Sequence, residues 1–391
     1  MDKLEFPTPS NFCIYRVLPR LRKMNEAAYT PVSISIGPYH HGNKGLESME
    51  EVKLWFLYKF LKRTQDKSVH DYVHLLKGQE GKIRQCYSET IPMESDEFVR
   101  MILTDACFII EYFLLWHDEN CWHSKLWFMW ELTTTDLILL ENQLPFFVLK
   151  DLFDLTFPDG YNELPFEFFT CDYLNRAFGS KIVPNEELQR EFKFKCFVRH
   201  NLPTLHYGFP QVHHLCDLLR IFFVRRDDQR ESSGKEMKPV YSVSKLYDAG
   251  IKFEVSEDEI SLFKLKFSKG VLKIPKIIIS DTTEATLRNV VAFEQYHFFF
   301  SRSMTDYIFL LGFLIITEKD VEILVEKGII KNLMGENDAV ASMIKRLGWN
   351  TSFTDFNEDY ISLFEELNKF CDSYISTKQS SSNNTRALHG E

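Results

Sequence analysis

With 391 residues, 45% of them hydrophobic and 26% charged, the chain has apolar material for one large globular body or two smaller ones. A formal charge of −10 and a pI near 5.7 speak against nucleic acid or an anionic membrane as the main partner. Eight cysteines form no CxxC pair and no zinc or disulfide spacing, and Met1-Asp2-Lys3-Leu4-Glu5 holds no apolar signal core; reduced thiols and a cytoplasmic location are the expectation.

Aromatic residues make up 15% of the chain and 35 residues are Phe, a side chain that fills cores and lines apolar pockets. Residues 12–17 and 31–36 read as short strands. Gly37-Pro38 then turns the chain, and Tyr39, His40, His41 and Gly42 follow in a tight loop. Two histidines so placed suit proton donor and acceptor roles, or plain bonding to backbone. No third ligand stands at helical spacing, so no metal site is expected. From Gly45 a long helix sets Met49, Val52, Phe56 and Phe60 on one stripe, with Glu50 and Lys53 as a pair on its flank. A second helix over 69–87 is expected to be disturbed at Gly78 and Gly81. Ser95 reads as the N-cap of a helix over 96–116, apolar enough after Val99 to be buried. Asp105 and Glu111, six apart, point to two separate buried contacts.

The stretch 139–149, LLENQLPFFVL, places three polar side chains in a greasy run. Leu137, Leu140 and Leu144 share a helical face, and Pro145 breaks the helix near Leu144. The break frees carbonyls in an apolar setting, and the amides of Asn142 and Gln143 suit them as partners. Glu141 must find a cation or N–H donors, or stay protonated. Two readings stand side by side: a structural knot tying two helices, and a carboxyl group held near neutrality for acid–base work.

Residues 159–205 read mostly as loop. His213 and His214 open an apolar helix over 215–224. The segment 225–239 mixes both charge signs without an apolar face and marks a boundary. Beyond it come a short helix over 243–249, strands over 251–255, 261–267 and 271–279, and a hairpin turn at 268–270. A helix from 281–283 through Tyr296 sets Glu294 and Gln295 together, again a carboxyl beside an amide. Helices over 305–316, 319–327, 336–347 and 357–375 complete the pattern. The apolar run 307–316 falls short of the roughly 20 residues that span a membrane, so no transmembrane span is expected. The fold class is mainly α (α+β): a multi-helix body with a small antiparallel β-hairpin or sheet element. The organisation reads as a helical body over 1–226, a polar loop over 227–239, a hairpin with helices on the same core over 240–376, and a compositionally disordered tail over 377–391.

Several of these stretches together have a family look. IYRVLPRLR at 14–22, AYTPVSISIGPYHHG at 28–42, MEEVK at 49–53, DLILLENQLPFFVL at 136–149, RNVVAFEQ at 288–295, and TDYIFLLGFLI with the following DVEILVEKGII resemble, in order, the signatures of the plant domain-of-unknown-function 247 family, over about 12–376. The resemblance implies a mainly helical body that usually carries a C-terminal membrane anchor. Grass members resemble recognition proteins of pollen self-incompatibility, and asterid members resemble cyclases of small monoterpenoids of the iridoid type. After Phe370-Cys371, where an anchor would follow, this chain continues as a polar tail, which argues against membrane attachment.

No GxGxxG, P-loop, HExxH or GxSxG occurs, so no cofactor is expected. Cyclisation of a preformed enol needs neither cofactor nor nucleophile, only an apolar pocket that orients it and donors on a carbonyl oxygen. The first expectation is therefore a soluble, cofactor-free enzyme of plant specialised metabolism. It cyclises or isomerises a small apolar carbonyl or enol metabolite, with His40, His41 and Glu141 as catalytic groups and Tyr39, Asn142, Gln143, Glu294 and Gln295 around the substrate. The alternative is a recognition protein with a protein partner, in which the motifs are purely structural. The enzyme needs a closed, largely aromatic cavity; the recognition protein needs a filled core and an exposed patch.

Overall fold

The computed structural model of the chain describes residues 12–64, 66–118, 130–179, 212–223, 238–256, 263–298, 302–349, 351 and 356–388. The fold is mainly α with a few short strands. Contacts divide it into two units: Met1–Ser180, Asn185–Phe222 and Ala285–His297 form the first, and Lys181–Pro184, Phe223–Glu284 and Phe298–Glu391 the second. Residues 285–297, expected with the C-terminal part, thus belong to the first unit. Of the segments expected as loops over 159–205 and 225–239, residues 180–205 and 225–237 lie outside the described residues, and Phe166–Leu174 is a helix instead of loop, its Phe166, Phe169, Tyr173 and Leu174 side chains buried.

In the first unit, a four-residue helix α1 (Pro19–Arg22) precedes the long helices α2 (Glu47–Arg63), α3 (Val69–Gln85) and α4 (Ser95–His117). Helix α2 buries Met49, Lys53, Phe56 and Phe60, so Lys53 takes the inward place expected of Val52. Helix α3 passes Gly78 and Gly81 without a break; Ser68 and Asp71 cap its start reciprocally. Helix α4 starts at Ser95 itself, with Glu94 at the N-cap position and making no side-chain cap; the Ser95 hydroxyl instead donates to Glu80 Oε2 at 2.6 Å. Nearly every residue of α4 from Phe98 to Trp116 is buried.

The aromatic content fills this core. Phe108 stacks near Phe56 and Tyr112, and Phe113 lies 4.5 Å from Tyr173. Phe166 and Phe153, on α7 (Phe166–Leu174) and α6 (Phe146–Thr156), continue the cluster. Helix α5 (Trp130–Asp136) leads into the irregular stretch before α6, and α8 (Leu215–Phe223) follows later in the chain.

The two strands expected near the N-terminus are not strands. Residues 12–17 make one isolated parallel bridge, Ile14 with Tyr87. Residues 31–36 are irregular, because their N–H groups are taken by side chains of a distant segment, described below. Asp105 and Glu111 do form two separate contacts: Lys53 Nζ lies 2.7 Å from Asp105 Oδ1, and Arg63 Nε lies 2.6 Å from Glu111 Oε1. The Glu50–Lys53 pair is no surface ornament, since Lys53 is 0% exposed.

The second unit opens with α9 (Val243–Asp248). Strands β1 (Lys252–Val255), β2 (Lys266–Ser268) and β3 (Val271–Ile274) form one sheet in the order β1-β3-β2. The hairpin β2–β3 is antiparallel as expected, and turns at Lys269 and Gly270 with φ of 50° and 76°, the left-handed pair a tight hairpin requires. Strand β1, however, runs parallel to β3. Pro275 ends β3, so β4 (Ile277–Ile279) leaves to pair in parallel with β5 (Ile330–Asn332).

Helix α10 (Thr283–His297) is shared by the two units; α11 (Ser303–Leu314), α12 (Glu318–Glu326), α13 (Asn337–Leu347) and α14 (Glu358–Leu388) belong to the second. Helix α14 carries the backbone to Leu388, where composition pointed to disorder from 377; its amphipathic first half supplies a helix that polar residues can extend. Among the described residues, no helix is long and apolar enough to cross a membrane.

Candidate functional site

Residues 136–145 form the hub of the first unit. After α5 the chain leaves helical geometry, and Pro145 lets α6 begin only at Phe146. The groups freed by that break are met by the segment's own amides. Gln143 Nε2 donates to the carbonyls of Leu137 and Leu139 at 2.8 Å and of Asn142 at 3.0 Å, and its Oε1 accepts from the Cys216 N–H. Asn142 Nδ2 donates to Ile34 O and Asp136 O, and its Oδ1 accepts from Ile36 N at 2.7 Å.

Asp136 completes the hold on 32–36. Its carboxylate accepts from the N–H groups of Val32, Ser33 and Ile34 at 3.1, 2.7 and 2.8 Å. Burial pushes its pKa up to about 6 even so. Asn289 on α10 ties in the third motif: its Nδ2 donates to Ala28 O and Ala285 O, and its Oδ1 accepts from Leu140 N. Three separated sequence motifs, 28–42, 136–149 and 288–295, thus meet through side chain to backbone bonds.

Glu141 faces outward from this hub. Oε1 accepts from Val17 N at 2.6 Å and pairs with Arg22 at 2.7 Å; Oε2 pairs with Arg16 at 3.0 Å. His40 Nε2 stands 3.5 Å from Oε2, at the outer limit of hydrogen-bond distance. Burial opposes ionisation of Glu141, but His40, Arg22 and the Val17 N–H outweigh it and hold the carboxyl down at about 2. The group is a fixed anion at neutral pH, not a carboxyl poised near neutrality.

Around it opens a pocket of about 700 Å³, lined among others by Arg16, Arg22, His40, Glu89, Glu141 and Tyr296. It is open to solvent, and its lining residues are mostly charged or polar, although their carbon atoms supply a little over half of the exposed wall. The Arg16 guanidinium lies 4.2 Å over the Tyr39 ring and donates to Tyr39 O, while Tyr296 Oη donates to Arg16 O at 2.6 Å.

Of the residues singled out in the sequence, the structure brings His40 and Glu141 together at this pocket. Tyr39 lies behind Arg16, with its hydroxyl near Ile14 O and Ser88 Oγ. His41 is half-buried and outside the pocket wall. Asn142 and Gln143 are buried and engaged with backbone, and buried Glu294 and half-buried Gln295 on α10 do not line the pocket either. Sequence reasoning missed Arg16, Arg22, Asp136 and Asn289. The signal was present for the arginines: a buried carboxylate demands cations, and both sit in the 14–22 motif. No group of three or more His, Cys, Asp or Glu among the described residues is placed to hold a metal ion.

The motifs that meet in this hub are those of one family, whose sequence model, described as a plant protein of unknown function, matches residues 14–387. The chain belongs to that family, DUF247. Two Arabidopsis thaliana proteins are similar along most of their length. UPF0481 protein At3g47200 is 29% identical, over 94% of this chain and 79% of its own. Putative UPF0481 protein At3g02645 is 25% identical, over 86% and 77%. No solved structure matches. In this DUF247 chain the stretches 14–22, 28–42, 136–149 and 288–295 are therefore parts of a single polar junction, while the stretch 305–330 lies in the second unit.

Proposed function

We propose that this chain is a recognition or interaction protein in which the family motifs build the frame and an exposed surface does the binding. One observation carries the reading: the polar side chains of the central motif are engaged with the protein's own backbone and arginines, leaving Glu141 unsuited to serve as a base. A protein partner needs an exposed patch, and α2 offers one. Leu54, Trp55 and Tyr58 are 56%, 43% and 55% exposed on one helix face, with Lys59 and Lys62 over the two aromatic rings. Trp and Tyr are the residues that most often anchor protein contacts. The described cysteines are free, which suits a cytoplasmic setting for such a protein.

The test is affinity capture from plant extract with the full chain and with a Trp55→Ala/Tyr58→Ala variant, melting temperatures compared alongside. Enrichment of a defined partner by the wild type, lost in an equally stable double variant, supports the reading. Equal capture by both removes α2 from it.

A second reading, the cofactor-free cyclase or isomerase of a small monoterpenoid carbonyl or enol compound, draws on the pocket beside His40 and Tyr296. Its open wall offers polar and apolar surface in nearly equal shares, so a small carbonyl compound would meet both carbon and hydrogen-bonding groups there. A mass-spectrometric screen of carbonyl and terpenoid intermediates with wild type and His40→Ala separates the two readings. Product formed by the wild type and lost in His40→Ala makes the chain an enzyme.

A further inference from the structure

Two cysteines far apart in sequence meet at the edge of the hub. The N–H groups of Cys13 and Ile14 both donate to Cys86 O at 2.9 Å, and Ile14 bridges Tyr87 in parallel register. Backbones paired in this way run about 4.8 Å apart, inside the roughly 4.4–6.8 Å that a disulfide spans between Cα atoms. The two thiols interact with one another, the Cys86 Sγ also donates to Lys82 O at 3.4 Å, and both residues are buried, 4% and 8% exposed.

We propose that Cys13 and Cys86 are a redox-modification site, a dithiol that peroxide converts reversibly to a disulfide fastening the N-terminal segment to the end of α3. The chemistry of the pair is asymmetric. The Cys13 S–H beside it, aided by Lys82 and opposed by burial, brings the Cys86 thiol down, while the same contact and burial push the Cys13 thiol up. Cys86 is therefore the attacking thiolate. Its sulfur takes one oxygen of hydrogen peroxide, the O–O bond breaks, and hydroxide leaves to become water, giving a sulfenic acid. The Cys13 sulfur then attacks the Cys86 sulfur, the S–O bond breaks, and the departing hydroxide takes the Cys13 proton as a second water. Two thiols and one peroxide become one disulfide and two waters.

The location gives the bond a consequence. Cys13 lies three and four residues before Arg16 and Val17, which hold Glu141 and shape the pocket wall. Oxidation fixes that segment, and reduction leaves it held by its backbone bonds and the Glu141 contacts alone. The inference does not depend on which proposed function is right.

The experiment uses the full-length protein, treated with equimolar hydrogen peroxide, alkylated and cut with trypsin. The expected product joins the peptides Leu4–Arg16 and Gln85–Arg100, two hydrogens lighter than their sum, and dithiothreitol separates it. Closing so long a loop raises the melting temperature by on the order of 5 °C in the oxidised protein, and neither Cys13→Ser nor Cys86→Ala shows the rise. Recovery of both cysteines alkylated on separate peptides, or of either linked to another cysteine, overturns the proposal. Should one variant fail to fold, the wild-type peptide map decides by itself.

Discussion

A Cβ on Gly37 would lie 2.6 Å from the carbonyl oxygen of Gln143. The two backbones can approach only because Gly37 has no side chain and sits at a φ of +70°. This closeness lets the 34–37 loop reach the Asp105 carboxylate, which accepts the Gly37 N–H at 2.8 Å, and lets Tyr87 Oη donate to the same Gln143 carbonyl. Gly37→Ala combines a left-handed backbone penalty with a clash against backbone that has nowhere to move. A loss of about 3 kcal/mol or more is expected, read as a lower urea midpoint at unchanged m-value.

Lys53 and Asp105 form the unit's most deeply buried ion pair among the described residues, 0% and 2% exposed at the side chain. Removing one partner leaves a desolvated charge. Lys53→Met is therefore expected to cost about 3–5 kcal/mol. Adding Asp105→Asn to it removes the orphaned charge while keeping an acceptor for the Gly37 N–H. Unfolding curves should thus show the double variant more stable than Lys53→Met alone. A double variant that is weaker still means the carboxylate finds other support.

His214 predicts a pH dependence. It is 0% exposed and neutral: Nε2–H donates to Cys13 O at 2.9 Å and Nδ1 accepts from Asp217 N at 3.1 Å. Burial lowers its pKa to about 3, from 6.5 in the unfolded chain. Between those values the unfolded chain binds the proton and the folded one does not. The contribution of His214 is full above pH 6.5 and is lost as pH falls towards 3. His297, lowered to about 4 by burial, acts in the same direction. In urea unfolding from pH 6 to 4.5, His214→Gln should flatten the slope of stability against pH by about 1.4 kcal/mol per unit. An unchanged slope would show that the imidazole is charged inside the fold or never buried.

The helices were largely legible in the chain, because periodicity over many residues averages out local exceptions. The 49–60 stripe, the greasy 96–116 helix and the 268–270 hairpin came out within a residue or two. The failures share one cause. Residues 31–36 alternate like a strand, but Asp136 and Asn142, about 100 positions away, take the N–H groups a ladder would have used. Lys53 reads as a surface flank until Asp105 is known to lie beneath it. For the site, the need of Glu141 for a cation or N–H donors followed from chemistry alone. That Arg16, Arg22 and Val17 would answer it, over 119 to 125 positions of sequence, did not. Asn142 and Gln143 were rightly matched to the helix break, yet the same bonds keep them out of the wall of the pocket beside Glu141.

Glu141 is a structural anion clamped by Arg16, Arg22 and the Val17 N–H. Depressed to about 2 from 4.5, it contributes stability that is present above pH 4.5 and lost as pH falls through 2. The most direct measurement is titration of its carboxyl carbon in protein labelled with 13C glutamate, assigned by comparison with Glu141→Gln. The expected midpoint is near 2, with the signal still that of a carboxylate at pH 4. A midpoint near neutrality would contradict it and return Glu141 to the role of an acid–base group.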